Sequence, residues 1–424
     1  LQSQVADRLA ALAEIRKQID QVREELGRSL LKLDAPPLWQ ALLHPEEQGA
    51  TQSGASDGAR WIVDDLRGFL QKYDARIPVH LSLFVAILAL FQFYRRDPMP
   101  EVVAASSAIH FLDRPVASAF LFLLSSSLLF YPAAAAVILR GAAAATVIPI
   151  TRLLPGLLPK IQQRWVYTLV VLYVLGFLRY LLTQDWLLTR LLLLGIAAGG
   201  LVGLGLFLRS RKKEASVGGV SDRILLLGLW LVVFLFALSA ISNLVGNLSL
   251  AEFLVDTPLR ITYNAALLFT AANLLTTIIA LSLQLPAARW LRSVREHGAM
   301  LASRCRTLFG LAAIVGWVLV SLYMIGVLDD FFAAIEAFLQ LRWKLGAAEI
   351  SIQDVAAFFA VLISAVLFSR MIRFVLTEEI LPRIRLPRGV PGAVDVLSRY
   401  GIMLLGFLIA LAAAGVDFSR VTLL

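Results

Sequence analysis

Apolar runs of roughly 18 to 26 residues recur along the whole chain, the length a helix needs to cross a ~30 Å hydrocarbon core. In lipid only helices and closed barrels satisfy every backbone group. The alternating segments of about ten residues that a barrel requires are absent. The expectation is an all-α polytopic membrane protein without strands. About ten spans are predicted, roughly 77–94, 115–131, 133–150, 164–183, 187–208, 223–246, 259–284, 306–328, 351–375 and 395–415. Composition agrees: of 424 residues, 59% are hydrophobic and 16% charged, against about 25% charged in soluble domains.

The net charge of +9 is a topology signal rather than a nucleic-acid patch. Alternate loops collect the basic residues: Arg95, Arg96 and Arg114; Arg152, Lys160 and Arg164; Arg209, Arg211, Lys212, Lys213 and Arg223. The same side holds Arg289, Arg292, Arg295, Arg304 and Arg306, then Arg370, Arg373, Arg383, Arg385, Arg388 and Arg399. The opposite loops hold chiefly Arg179, Arg190, Arg260, Arg342, Lys344 and Arg420, and carry Asp185, Glu252, Asp256, Asp329, Asp330 and Glu349. The positive-inside rule places the first set in the cytoplasm and the amino-terminal segment outside. The lone Cys305 excludes an intrachain disulfide.

Residues 1–75 read as an extracytoplasmic helical segment. Apolar residues from Leu1 to Leu33 recur in threes and fours, the coiled-coil alternation, until Asp34-Ala-Pro-Pro stops the helix. A loop over 45–59 and a short amphipathic helix over 61–70 follow. Residues 76–328 hold the outer transmembrane helices, and Tyr131-Pro132 joins the second and third in a tight hairpin. Pro286–Cys305 reads as a cytoplasmic interfacial helix and Phe331–Leu345 as an outer one, within a 329–350 segment. Ser249 to Glu252 and Ser351 to Asp354 read as helix starts. The last two spans occupy 351–415, and a short polar elbow follows over 416–424.

No catalytic, cofactor-binding or metal constellation is expected, and the chain does not read as an enzyme. His44, His80, His110 and His297 are scattered and read as solvated or interfacial. Arg140, in AVILRGAAAA, is the one clear charge read inside a span, either as a buried ion pair or lipid-phosphate contact or as a side chain snorkelling from a shallow or broken hairpin over 133–150. Asn264 and Asn273 read as interhelical hydrogen-bonding residues. Gly195, Gly199 and Gly203 form a small-xxx-small row that permits close packing, within the protomer or between copies. A transporter would show acids inside the membrane, interrupted helices and paired repeats, all in poor supply here.

The closing stretch combines a basic, proline-punctuated turn, a membrane-length helix and the elbow Gly415-Val416-Asp417-Phe418-Ser419. Leu386 to Leu424 resembles the segment before the pore helix in the mechanosensitive channel of small conductance superfamily. RPVASAFLFLLSSSLLFYP, Arg114 to Pro132, resembles the amino-terminal membrane block of its larger, MscK-like members. The resemblance implies eleven membrane helices, the pore helix and a cytoplasmic vestibule following Leu424, and a homoheptamer in the bacterial inner membrane with a periplasmic amino-terminal segment. It makes 351–375 and 395–415 a tension-sensing paddle, with Gly415, Asp417, Ser419 and Arg420 at the turn into the pore helix.

The function expected on these grounds is a subunit of a tension-gated channel releasing ions and small solutes under hypo-osmotic stress. Its partners would be membrane lipids, permeant ions and further copies of itself. Arg370, Arg373, Arg383, Arg385 and Arg388 are candidates for holding anionic headgroups, or for plain positive-inside anchoring. A secondary transporter and a non-conducting envelope-stress scaffold are the alternatives.

Overall fold

A computed structural model describes residues 14, 32–43, 55–96, 106–181, 186–214, 220–345, 348–381 and 390–414. The coiled-coil expectation over 1–33 lies almost wholly outside them, as does the elbow from Gly415 onward. The chain is an all-α polytopic membrane protein. Among the described residues, eight helices are long and apolar enough to cross a bilayer.

The helices run α1 Leu38–Leu43, α2 Ala55–Lys72, α3 Arg76–Arg96, α4 Ser106–Asp113, α5 Pro115–Phe130, α6 Ala136–Ala145 and α7 Val147–Leu157. They continue with α8 Lys160–Leu181, α9 Trp186–Glu214, α10 Val220–Val245, α11 Leu248–Ser282, α12 Arg292–Ile325, α13 Leu328–Leu339, α14 Ile352–Val375 and α15 Val390–Ala413. All ten expected spans fall on helices, and two of them lie outside the eight. Helix α5 has only 16 residues. Helix α8 has 22, but Gln162, Gln163, Arg164 and Arg179 dilute its apolar character.

Three expectations are corrected. Residues 331–345 are not one interfacial helix: α13 ends at Leu339 and an antiparallel hairpin follows, β1 Arg342–Leu345 against β2 Ala348–Ser351, with Arg342 opposite Ser351. Strands had not been expected. The segment 286–305 is not a separate interfacial helix either. After a short 3-10 turn at Ala288–Trp290, α12 runs from Arg292 through Cys305 to Ile325 and kinks at His297, whose φ is −123°. The seventh span starts earlier than expected, since α11 extends for 35 residues from Leu248.

The described residues up to Leu274 form one compact unit and those from Leu275 onward a second. In the first, Leu172 of α8, Leu193 and Ile196 of α9, Phe236 of α10 and Val255 of α11 build an apolar core. The glycines of α9 set its spacing. A Cβ on Gly199 would sit 3.2 Å from Leu172, one on Gly203 would sit 3.0 Å from Thr168, and one on Gly200 only 2.3 Å from the Phe236 ring. Gly195 faces nothing within 4 Å. The α2–α3 elbow closes on the Tyr131-Pro132 turn. Phe69, Tyr73 and Tyr131 pack ring to ring at 4.9–5.3 Å, and Arg76 donates to the Phe130 carbonyl at 3.2 Å. His80 is buried, contrary to expectation. It bonds the Tyr131 hydroxyl at 3.0 Å and Ser126 Oγ at 2.9 Å, and stacks on Phe130.

In the second unit α14 and α15 form an antiparallel pair. The Ser351–Asp354 capping box starts α14 as expected, with the Asp354 amide donating to Ser351 Oγ at 3.1 Å and the Ser351 amide to Asp354 Oδ2 at 2.9 Å. The pair meets where Gly406 faces Ala365: a Cβ on Gly406 would lie 2.2 Å from the Ala365 Cβ. Gly401 on the same helix has nothing within 4 Å. Gly406→Ala is expected to destabilise the pair by about 1–3 kcal/mol through overpacking, whereas Gly401→Ala is neutral or stabilising by up to about 1 kcal/mol. Thermal unfolding of both variants in detergent micelles measures the difference.

Candidate functional site

Two arrangements of charge stand out, one in each unit. The first surrounds two arginines near the α8 carboxyl end and the α9 amino end. Both had been assigned to loops, yet Arg190 is fully buried and Arg179 is 7% exposed. A buried guanidinium needs an acceptor for each donor. Arg190 Nε donates to Asn243 Oδ1 at 3.1 Å, one terminal nitrogen to the Asn243 carbonyl and the other to the Pro36 carbonyl at 2.7 Å. Asn243 Nδ2 donates back to the Arg190 carbonyl at 2.9 Å. The α9–α10 contact is therefore fastened through side chain and backbone together.

Pro36 belongs to a strap, residues 34–37, that lies across the α10–α11 turn. The Ala35 amide donates to the Gly246 carbonyl at 3.0 Å. Gly246 takes φ +102°, and a Cβ there would sit 2.2 Å from the Ala35 carbonyl oxygen, so the turn admits only glycine. Asp34 caps α11 from 214 residues upstream. Its carboxylate accepts the Leu248 amide at 2.6 Å, the Ser249 amide at 2.8 Å and the Ser249 hydroxyl. The expected cap, Ser249 to Glu252, is thus replaced by a remote aspartate and by Asn247, whose Oδ1 accepts the Leu250 amide at 3.0 Å.

Glu252 is engaged elsewhere. Arg179 binds it at 2.5 Å and Asp256 at 2.6 Å, and Arg260 approaches Asp256 at 3.6 Å. Two acids and two arginines make this group electrically neutral. Arg179 Nε is buried without a hydrogen-bond partner. Further along α11, Tyr263 stacks on Tyr173 at 3.7 Å and bonds Thr146 Oγ1 at 2.7 Å, so polar contacts continue down the helix. Glu252 and Asp256 sit in the first turns of the 35-residue helix Leu248–Ser282, before the expected span 259–284. Arg140, by contrast, is exposed on α6.

The second arrangement lies on α14 and α15. Arg373 forms a two-pronged pair with Asp395, Nε to Oδ1 at 2.6 Å and a terminal nitrogen to Oδ2 at 2.8 Å. Its guanidinium fork is turned toward the partner helix. Arg370 is exposed, with Ser369 buried beside it. Arg383, Arg385 and Arg388 lie outside the described residues, as do Gly415, Asp417, Ser419 and Arg420. On the same end of the unit, His297 at the α12 kink lies 5.8 Å from the Phe374 ring. Among the described residues no cluster of acids, histidines or cysteine has the arrangement of a metal site.

Spacing had no means of linking Arg179 to Glu252, 73 residues away, or Arg190 to Asn243, 53 away. The usable signal was the charge itself, since arginines beside apolar runs require partners. Comparison with protein-family models, curated proteins and solved structures returns no match.

Two outcomes follow from these pairings. Arg179→Met leaves Glu252 uncompensated and Asp256 with Arg260 alone, and should cost about 3–5 kcal/mol, the range for breaking a buried pair. Adding Glu252→Gln and Asp256→Asn to Arg179→Met should recover most of the loss in thermal unfolding. The Asp34 cap is pH-dependent. Burial alone would raise the Asp34 carboxyl, but the Ser249 hydroxyl and the Leu248 and Ser249 amides outweigh it and hold the pKa below the ordinary aspartate value. A depressed pKa means the cap is at full strength above the ordinary value of about 3.9 and is lost as pH falls through the lower, folded value. Melting curves from about pH 6 to pH 2 should show an acid-side loss that Asp34→Asn lacks.

Proposed function

We propose that the chain is a subunit of a tension-gated channel of the mechanosensitive small-conductance type, with α14 and α15 as its paddle. One observation supports this most directly: the two helices form a close pair, and α15 ends at Ala413, immediately before the Gly415-Val416-Asp417-Phe418-Ser419 signature. The pair has the parts of a unit that moves as one body. Gly406 lets the backbones approach, Phe358 meets Phe407 at 6.2 Å, and Arg373 holds Asp395 near the opposite end.

Membrane tension favours the state with the larger in-plane area, so a paddle transmits force only if its helices do not slide apart. On this reading Arg373 acts inside the paddle as a clamp, and of the headgroup candidates that are described Arg370 is exposed and left for anionic headgroups. The apolar stretches of the paddle helices are largely uncovered: only 6% of that of α14 and 11% of that of α15 is buried. Such faces suit lipid or neighbouring copies, in keeping with a homoheptamer in a bacterial inner membrane, its amino-terminal segment periplasmic.

Secondary transport is the second reading. Glu252 and Asp256, acids in the first turns of the membrane-length helix α11, favour it, although Arg179 and Arg260 together neutralise them. Patch-clamp recording of the full-length protein under suction separates the two. Stretch-activated current is expected, and Arg373→Gln should shift its pressure threshold while the exchange Arg373→Asp with Asp395→Arg partly restores it. Substrate-dependent uptake into vesicles with no tension-dependent conductance would favour transport.

A further inference from the structure

The first unit contains a cavity of about 420 Å³ between α7, α8, α9, α10 and α11. Its walls are almost wholly apolar, with Leu172, Val232, Phe236 and Leu259 at one end and Leu158 and Trp165 at the other. The side-chain polar groups on the wall are Gln162, Thr168, Thr262 and the Trp165 indole N–H. Thr262 has already given its hydroxyl hydrogen to the Pro258 carbonyl at 2.8 Å. Glycines 200 and 203 line the α9 side, where they let Phe236 and Thr168 of the wall pack directly against the α9 backbone.

We propose that this hollow holds one acyl chain of an anionic phospholipid. The occupant follows from the surroundings, the length and the charge. Of the wall helices, α9, α10, α11 and the α6–α7 stretch are long and apolar enough to cross a bilayer, and the medium beside the hollow is accordingly taken as hydrocarbon. Lined positions run from Gln162 to Leu172 on α8 and from Pro258 to Phe269 on α11. At about 1.5 Å per residue each stretch is about 15 Å long, the depth of one leaflet of a ~30 Å core. Charge marks one end. Trp165 and Phe207 meet edge to face at 5.0 Å there, and exposed Arg164 and Arg209 flank these two rings. A phosphate at that level would face two guanidinium groups while its chain ran inward between the helices. A headgroup-bearing lipid fits this polarity, since the charges beside the other end, Arg179, Glu252, Asp256 and Arg260, balance one another. The inference rests on the membrane-spanning fold and not on the channel reading.

The test uses the full-length protein in vesicles containing a trace of phosphatidylglycerol with a diazirine near the end of one acyl chain. After irradiation, adducts are mapped by mass spectrometry. Adducts at buried Leu172 and Phe236 are expected to saturate with probe, while those at exposed Leu227 and Phe234 of the outer helix face rise linearly. Unlabelled phosphatidylglycerol should displace the saturable adducts at least about five-fold better than phosphatidylcholine, about 1 kcal/mol of headgroup preference, and Arg164→Gln with Arg209→Gln should erase that preference. Ala266→Trp, which places bulk against the cavity wall, should reduce the saturable adducts while leaving the linear ones unchanged. Linear labelling at every site, unaltered by Ala266→Trp, would overturn the proposal, because the probe would then report bulk lipid. Absence of adducts at Leu172 and Phe236 at all probe levels would overturn it too, by showing the hollow filled with protein. Equal displacement by the two lipids would overturn the headgroup assignment.

Discussion

A guanidinium that solvent cannot reach must be met by acceptors, and among the described residues Arg190 is met by at least three. Its position determines much of the first unit. One acceptor comes from the α10 side chain Asn243, one from the α10 backbone and one from Pro36 in the amino-terminal strap. Together they tie α9 to α10 and to the strap, so removing any one takes an acceptor from a buried donor. The strap in turn supplies the carboxylate that caps α11, and the first turns of α11 carry the acids that neutralise Arg179. The polar interactions of four helices thus converge on a small volume, while the rest of their mutual contact is apolar packing spaced by the α9 glycines.

The second unit follows a different pattern. Its long helices have few buried residues, and its main pair is fixed by one glycine contact and one two-pronged ion pair. Uncovered apolar faces of this extent are ordinary for surfaces that meet hydrocarbon or further subunits. The first unit joins its helices through a polar network, whereas the second leaves most of its surface for the surroundings.

The spans were legible in the sequence because membrane thickness imposes a length and lipid imposes a composition. The capping box at Ser351 and Asp354 was legible because its partners lie three residues apart. What was hidden depended on contacts across the chain. Asp34 reads locally as a helix stop, yet its partners are Leu248 and Ser249. His80 reads as one of four scattered histidines, yet it sits in a pocket made by Phe130, Tyr131 and Ser126. The hairpin after α13 was missed because apolar Phe331, Ile335, Phe338 and Leu341 continue a helical period into a segment whose Gly346-Ala347 pair is a turn signal. The α12 kink was missed for the opposite reason: a change of surroundings was taken for the end of a helix, when His297 bends the backbone and the helix goes on.

The remote cap has a consequence for biogenesis. Asp34 is synthesised 214 residues before the amides it binds, and several membrane-crossing segments must be placed between the two events. The strap and the α10–α11 turn can meet only if both emerge on the same face of the bilayer. A chain threaded with one crossing too many or too few would leave Arg190 without its Pro36 acceptor and α11 without its carboxylate. Closure of the strap is therefore a parity check on membrane insertion, completed only when the number of intervening crossings is even.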